Sequence, residues 1–176
     1  MRARGRPPEH ELTDDDRADV LAGAVYGQVV TAATTAALAG DDRLTAASIA
    51  GLTVLTMVVF WVAHVYAELI SHGVVRADEP ATGGQRVRTL LTTMAHEWPI
   101  AQAAFPTAIA LLLASAGLYE RRTGVVVALV LAMLALVGWG LAIGRRGGRS
   151  WAGSLLIALG SGAIGAVIVL AELALH

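Results

Sequence analysis

The 176-residue chain contains no cysteine and no lysine, and only 15% of its residues are charged. Without cysteine it can form neither disulfide bonds nor thiolate metal sites. An ordinary soluble domain has about 25% charged residues, whereas this chain is 56% hydrophobic with a mean hydropathy of +0.63. That balance excludes an ordinary soluble domain, and the net charge of -1 gives no reason to expect nucleic acid as a partner.

Long apolar stretches fill most of the chain, and their length predicts membrane-spanning helices. A helix needs roughly 20 apolar residues to cross the hydrocarbon core of a bilayer, which is about 30 Å thick. We therefore predict an all-α integral membrane protein, a bundle of five transmembrane helices in which residues 20–176 form a single domain. Pro106 is expected to kink the third span. The predicted spans are about residues 20–39, 46–70, 99–118, 124–143 and 151–174.

The distribution of arginine predicts the orientation of these spans. Five spans put the polar tail 1–19, the segment 71–98 and the segment 144–150 on one side, which then carries ten of the thirteen arginines. The positive-inside rule makes that side cytoplasmic. We expect 1–19 to be a flexible cytoplasmic tail and the C-terminus to lie outside. Because arginine is the only basic residue besides histidine, as is typical of GC-rich genomes, we expect the bacterial cytoplasmic (inner) membrane.

The segment 71–98 is too long for a plain connector, and part of it has an amphipathic pattern. Apolar residues recur there at the spacing of one helical face, and arginine and threonine take the other positions. This pattern predicts a short amphipathic helix over about residues 84–96, lying on the cytoplasmic interface of the membrane. The alternative is a helix packed against the bundle. The apolar residues are Val87, Leu90, Leu91, Met94 and Ala95.

Ionisable side chains recur near the cytoplasmic end of the second predicted span. His64, Glu68 and His72 occupy every fourth position and therefore share one helical face. The third span starts from the same side with His96 and Glu97, which can approach them if the two helices are neighbours. Ionisable residues inside membrane helices are costly and usually functional. The sequence therefore predicts a cluster of ionisable groups at this end of the bundle.

Three interpretations of the cluster remain open. The first is a proton relay or ion pathway, formed by His64, Glu68 and His72 together with Gln28 and Thr31 of the first span. Histidine suits this role because it exchanges protons near neutral pH. As a divalent metal site, the same three would act with His96 and Glu97, since imidazole and carboxylate bind zinc, iron or manganese. As a structural feature, His64 would be hydrogen-bonded inside the bundle and the other groups solvated at the interface.

Small residues indicate close helix packing in two predicted spans. Gly23 and Gly27 have the GxxxG spacing in the first span, and the fifth span contains Gly160, Gly162 and Gly165. Small residues allow membrane helices to approach each other closely. We expect the first span to be buried against its neighbours, and the glycine face of the fifth to pack within the bundle or between subunits.

Three short motifs allow a comparison with a known family. Arg17 precedes the segment 21–27, which reads LAGAVYG. The segment 60–64 reads FWVAH, and 105–107 reads FPT. These motifs resemble elements of the bacterial and lysosomal potassium channels with six-helix repeats, whose first span has an F-S-D-G-V-F-A pattern. The Ser-Asp pair of that pattern is Ala-Gly here, and one span is missing. The resemblance implies a cation conduit and assigns no pore residue.

We expect a small channel or transporter for protons or monovalent cations. No nucleophile with a placed base, phosphate loop or dinucleotide motif points to an enzyme. The alternatives are a metal-binding membrane protein or metal-dependent membrane enzyme that uses the ionisable cluster, and a non-catalytic subunit of a larger complex. No cofactor is predicted beyond a possible divalent metal, because a single clearly intramembrane histidine argues against haem. Besides the lipid bilayer, the expected partners are further copies of the chain or a membrane partner subunit.

Overall fold

The computed structural model describes residues 14–75 and 83–175, and within these ranges every regular element is an α-helix. The described residues contain no β-strand, which confirms the all-α prediction. The tail 1–19 lies mostly outside the described residues. The helices are α1 (Asp14–Ala39), α2 (Ala46–Val75), α3 (Gly83–His96), α4 (Trp98–Gln102), α5 (Ala104–Ser115), α6 (Arg121–Arg146) and α7 (Trp151–Leu175).

Three helices contain stretches that are long and apolar enough to cross a membrane, namely Leu21–Ala39, Ala46–Ser71 and Arg121–Arg146. The segments Gly83–Gln102 and Ala104–Ser115 form a fourth candidate if the bend between them lies within one span. The apolar part described for α7 is shorter. Helices of this kind are consistent with the predicted membrane location, whereas the count of five spans stays a prediction.

The third predicted span, residues 99–118, is divided into two helices. α4 ends at Gln102 and α5 begins at Ala104, and the chain bends by 46° at this break. Pro106 causes the break, because proline has no N–H to donate to the carbonyl oxygen of Gln102 and its ring collides with the preceding turn. The expected kink is therefore present.

α1 is the central helix and packs against α2, α4, α5, α6 and α7. Its buried residues fall three or four positions apart and so form one continuous helical face. That face is apolar near the start of the helix and polar further along. The buried residues in order are Leu21, Ala24, Gly27, Gln28, Thr31, Ala32, Thr35 and Ala36.

Close approach of α1 to α4 depends on glycine. A Cβ atom at Gly27 would lie 2.7 Å from the carbonyl oxygen of Ile100 and 3.2 Å from the Cβ of Ala103. A Cβ at Gly23 would lie 3.4 Å from the side chain of Ile100, an ordinary contact. Glycine at position 27 is thus required for the two backbones to meet.

α6 and α7 form an antiparallel pair with the most extensive helix contact in the molecule. A Cβ at Gly144 would lie 2.5 Å from the Cα of Ser154, and one at Gly140 would lie 2.8 Å from the Cα of Ala158. Distances this short mean that the two backbones touch without an intervening side chain. Gly140 and Gly144 have the GxxxG spacing and were missed from sequence.

The glycines predicted to pack α7 differ in their surroundings. A Cβ at Gly162 would meet the side chain of Val137 at 2.8 Å, and one at Gly165 would meet those of Leu136 and Met133 at 3.1 and 3.2 Å. A Cβ at Gly160 would meet nothing within 4 Å. Gly162 and Gly165 therefore face α6, while Gly160 faces away from the other residues that the structure describes.

The turn between α1 and α2 is held by one side chain from α6. The guanidinium group of Arg121 donates to the carbonyl oxygens of Ala39 at 2.8 Å, Asp41 at 2.9 Å and Leu44 at 2.9 Å. The same group lies 3.6 Å from the carboxylate of Asp42. Because the last carbonyl groups of a helix have no partner within it, Arg121 caps the end of α1 and connects three helices.

The predicted amphipathic segment 84–96 coincides with α3. Its residues Val87, Leu90 and Leu91 are exposed, and only Thr93 is buried. The indole N–H of Trp61 in α2 donates to the carbonyl oxygen of Met94 at 3.2 Å and so attaches the end of α3 to the bundle. The apolar face of α3 otherwise has no covering within the described part of the chain.

Candidate functional site

Four of the five predicted cluster residues line one cleft of roughly 370 Å³. We call it the titratable cleft. It opens between α1, α2 and the junction of α3 with α4. Its lining residues are Ala22, Gly23 and Tyr26 from α1, His64 and Glu68 from α2, and His96 and Glu97 from the junction.

Helix geometry explains how these groups meet. His64 and Glu68 are one turn apart on α2, and the ring of Tyr26 stacks at an angle beside His64, with 6.2 Å between the ring centroids. Trp61 brings the junction to α2 through its hydrogen bond and through an edge-to-face contact with Trp98, 5.3 Å between centroids. The side chain of His64 is exposed and that of Glu68 is partly buried, so the cleft is open to its surroundings.

The fifth predicted cluster residue, His72, belongs to α2, and its side chain lies outside the described residues. Among the side chains that the structure describes, no group of three histidine, aspartate or glutamate residues is arranged to hold a metal ion. Four of the five residues of the predicted metal set, His64, Glu68, His96 and Glu97, share the cleft. Because the side chain of His72 lies outside the described residues, the metal interpretation stays a prediction.

The two polar residues predicted from the first span are fully buried in the bundle. Gln28 is 1% exposed and Thr31 is 0% exposed. Within the part of the chain that the structure describes, the Nε2 atom of Gln28 and the Oγ1 atom of Thr31 have no hydrogen-bond partner, and neither has the Oγ1 atom of the buried Thr107 in α5. Buried polar atoms are nearly always paired in proteins, so three unpaired ones in one bundle call for water or a ligand.

α1 and α4 run in the same direction where they pack. Gly23 and Gly27 contact Ile100, and Gly27 also reaches Ala103. Thr31 lies one helical turn beyond Gly27 in α1, whereas Thr107 lies in α5, beyond the bend that separates α5 from α4. One turn beyond Thr31 in α1, the buried hydroxyl group has a partner: that of Thr35 is hydrogen-bonded to that of Thr53 at 3.3 Å.

Gln28 also lines a second cleft, of roughly 430 Å³, at the break between α4 and α5. We call it the broken-helix cleft. It lies on a different side of α1 from the titratable cleft and contains no ionisable side chain. Its lining residues are Gln28, Pro99, Gln102, Ala103, Pro106, Ala135, Gly138, Trp139 and Ala142.

Several residues of these sites were missed from sequence. Gln102 and Thr107 lie on either side of Pro106 in the sequence. A glutamine four residues before a proline in an apolar span could have indicated that the helix breaks there beside polar groups. Trp61 was noticed only as part of a motif, and nothing in the sequence indicates which carbonyl group it reaches. Tyr26 was noticed only within the motif 21–27, and its contact with His64 depends on how α1 and α2 pack.

No protein-family model, curated protein or solved structure matches this chain. Any functional conclusion therefore depends on the geometry of the chain itself.

Proposed function

We propose that this protein conducts protons, or a monovalent cation, across a membrane, with entry through the titratable cleft. The observation that carries the proposal is the meeting of His64, Glu68, His96 and Glu97 in one cleft against α1, whose buried polar residues lie on another side of the helix. Ionisable residues at such positions in membrane helices are typical of ion and proton pathways. The resemblance of the motifs at 60–64 and 105–107 to potassium channels adds potassium to the ions to be tested.

The proposal includes the predicted topology. The five spans are α1, α2, the broken pair α4–α5, α6 and α7, with the arginine-rich ends in the cytoplasm. α3 lies on the cytoplasmic interface, because its exposed residues Val87, Leu90 and Leu91 need an apolar environment that the bundle does not supply. This topology puts the titratable cleft on the cytoplasmic side. A conducting form built from thin bundles would be a homo-oligomer, or would be completed by a partner subunit.

The path inward from the cleft follows α1. From Tyr26 to Thr35 the helix rises about 13 Å at 1.5 Å per residue, which is nearly half of the hydrocarbon thickness. The unpaired hydroxyl group of Thr31 lies within this stretch, and the unpaired hydroxyl group of Thr107 is buried in α5. A short file of water molecules would satisfy both. Water hydrogen-bonded in this way transfers protons from the cleft toward the middle of the membrane.

The end of the bundle that this topology puts outside has an apolar core. Beyond the Thr35–Thr53 hydrogen bond the core is apolar and tightly filled, with Ile49, Leu111 and Leu129 at its centre. An apolar constriction of this kind blocks ions by excluding water. Conduction would therefore require a movement that opens the contact among α1, α2 and α5.

Ion flux into proteoliposomes tests the proposal. With proton, potassium and zinc gradients applied side by side, we expect flux of a proton or potassium ion and an approximately tenfold decrease for His64→Ala, equivalent to about 1.4 kcal/mol on the barrier. Tyr66→Ala is the matched control, because Tyr66 lies half a turn away on α2, is 65% exposed and does not line the cleft. Equal flux in the two variants contradicts the role of His64, and no flux of any of the three ions contradicts the proposed function.

A second substitution separates conduction from stability. Thr31→Val removes a buried hydroxyl group that has no protein partner, so we expect lower flux with the free energy of unfolding unchanged or raised by about 1 kcal/mol. Thr35→Val removes a hydroxyl group that is paired with Thr53 and should cost about 1 kcal/mol of stability instead. Thermal unfolding in detergent, measured beside the flux, gives both values. A stability loss in Thr31→Val as large as that in Thr35→Val would contradict the assignment of a water-filled path.

A further inference from the structure

The broken-helix cleft has the size and lining of a binding site for a small apolar molecule. Its volume of roughly 430 Å³ falls within the range of about 300–1,000 Å³ that is typical of ligand pockets. It is lined by residues of Leu21–Ala39 and Arg121–Arg146, two of the candidate membrane spans. Gln102, Pro106 and Gly138 at its rim are exposed, so the cleft opens sideways from the bundle, and a ligand would enter from the hydrocarbon of the membrane.

The walls of the cleft fit a flat molecule. Ala135, Gly138 and Ala142 recur on one face of α6 and present nothing larger than a methyl group. The facing wall is formed around the rigid ring of Pro106. Trp139 adds an indole ring, which interacts favourably with other planar rings by offset or edge-to-face contact.

One polar group in the cleft lacks a partner. Gln28 is 1% exposed, lines the cleft and leaves its Nε2 atom without a hydrogen-bond acceptor. An unsatisfied buried amide group costs about 1–3 kcal/mol, which a ligand with a carbonyl oxygen would remove. Because no charged side chain lines the cleft, a charged ligand would remain unpaired in an apolar environment. The ligand is therefore neutral.

We infer that the broken-helix cleft binds an uncharged, planar, lipid-soluble carbonyl compound of the quinone class. One carbonyl oxygen accepts from the Nε2 atom of Gln28, and the ring lies against the small-residue face of α6 near Trp139. The inference does not depend on the proposed ion pathway, because it uses a different cleft and requires no flux.

Fluorescence titration of the full chain in lipid vesicles tests the inference, with 2-methyl-1,4-naphthoquinone as the probe. We expect saturable quenching of tryptophan fluorescence, since the bound ring lies beside Trp139. Gly138→Leu should abolish the saturable part: a Cβ at Gly138 meets nothing within 4 Å, so the new side chain occupies the cleft without disturbing the fold. Gly51→Leu is the matched control, because Gly51 is an exposed helical glycine with equally open surroundings outside the cleft.

Two further measurements test the hydrogen bond. Gln28→Leu should raise the dissociation constant about three- to tenfold, the effect of one neutral hydrogen bond. As a competitor, 2-methylnaphthalene has the same planar ring without carbonyl groups and should displace the probe poorly. Quenching that does not saturate, or that is equal in Gly138→Leu and Gly51→Leu, would overturn the site. An unchanged dissociation constant in Gln28→Leu, or efficient displacement by 2-methylnaphthalene, would overturn the assignment of a carbonyl ligand.

Discussion

Replacing Gly144 by alanine is expected to lower the free energy of unfolding by about 3 kcal/mol, the upper part of the range for overpacking a tight contact. The added Cβ would lie 2.5 Å from the Cα and 2.7 Å from the Cβ of Ser154. Backbone atoms cannot rotate away as a flexible side chain can, so α6 and α7 must separate along their whole contact. Denaturation in detergent, followed by tryptophan fluorescence, measures the loss.

The same substitution at Gly138, on the same helix, should have the opposite sign. A Cβ there meets nothing within 4 Å, and alanine is favoured over glycine inside a helix by about 0.5–1 kcal/mol. The unfolding midpoint of Gly138→Ala should therefore rise slightly. If Gly144→Ala and Gly138→Ala are equally stable, α6 and α7 do not approach each other as closely as described.

Arg121→Ala is expected to cost about 2 kcal/mol of stability, because it removes hydrogen bonds from a charged donor to three backbone carbonyl groups. The loss is smaller than three full hydrogen bonds, since water can reach a side chain that is 30% exposed. Thermal unfolding in detergent should show a lower midpoint. The turn between α1 and α2 should also become more accessible to proteases.

Two further variants distinguish geometry from charge at this position. Arg122→Ala removes an identical charge from the next residue, which is exposed, and should change stability by less than about 0.5 kcal/mol. Arg121→Lys keeps the charge but loses the planar guanidinium group, whose N–H groups reach several acceptors at once. The lysine variant should therefore retain little of the stability that Arg121 provides. A stable Arg121→Lys variant would mean that charge alone holds the turn.

Helix positions were largely predictable because hydrophobicity is a property of the sequence itself. The predicted spans 20–39 and 46–70 correspond to parts of α1 and α2, and the amphipathic segment 84–96 corresponds to α3. The ends were less predictable. α6 begins at Arg121 instead of at residue 124, because the arginine side chain finds its partners in the turn between α1 and α2.

Packing contacts were harder to predict, as the glycines illustrate. GxxxG spacing drew attention to Gly23 and Gly27, and Gly27 does meet α4 closely. Gly140 and Gly144 have the same spacing in α6 and meet α7, yet they were overlooked. A glycine supports close packing only if another backbone lies opposite it. The sequence of one helix does not contain that information.

For the candidate site, the sequence determined which groups are available and their order along each helix. The spacing of His64 and Glu68 puts them on one face, and the position of His96 and Glu97 before the third span puts them at the same end of the bundle. Both conclusions follow from the 3.6-residue period of the helix and from the alternating direction of membrane spans.

Only the tertiary structure decided which groups face each other. It brought Tyr26 beside His64, left the Nε2 atom of Gln28 and the hydroxyl groups of Thr31 and Thr107 without partners, and opened a cleft where Pro106 breaks the helix. The physical reason is that periodicity determines a residue's face on its own helix, while its neighbours depend on the rotation and register of the helices packed against it. Those are decided by close contacts such as Gly27 on Ile100 and Gly144 on Ser154.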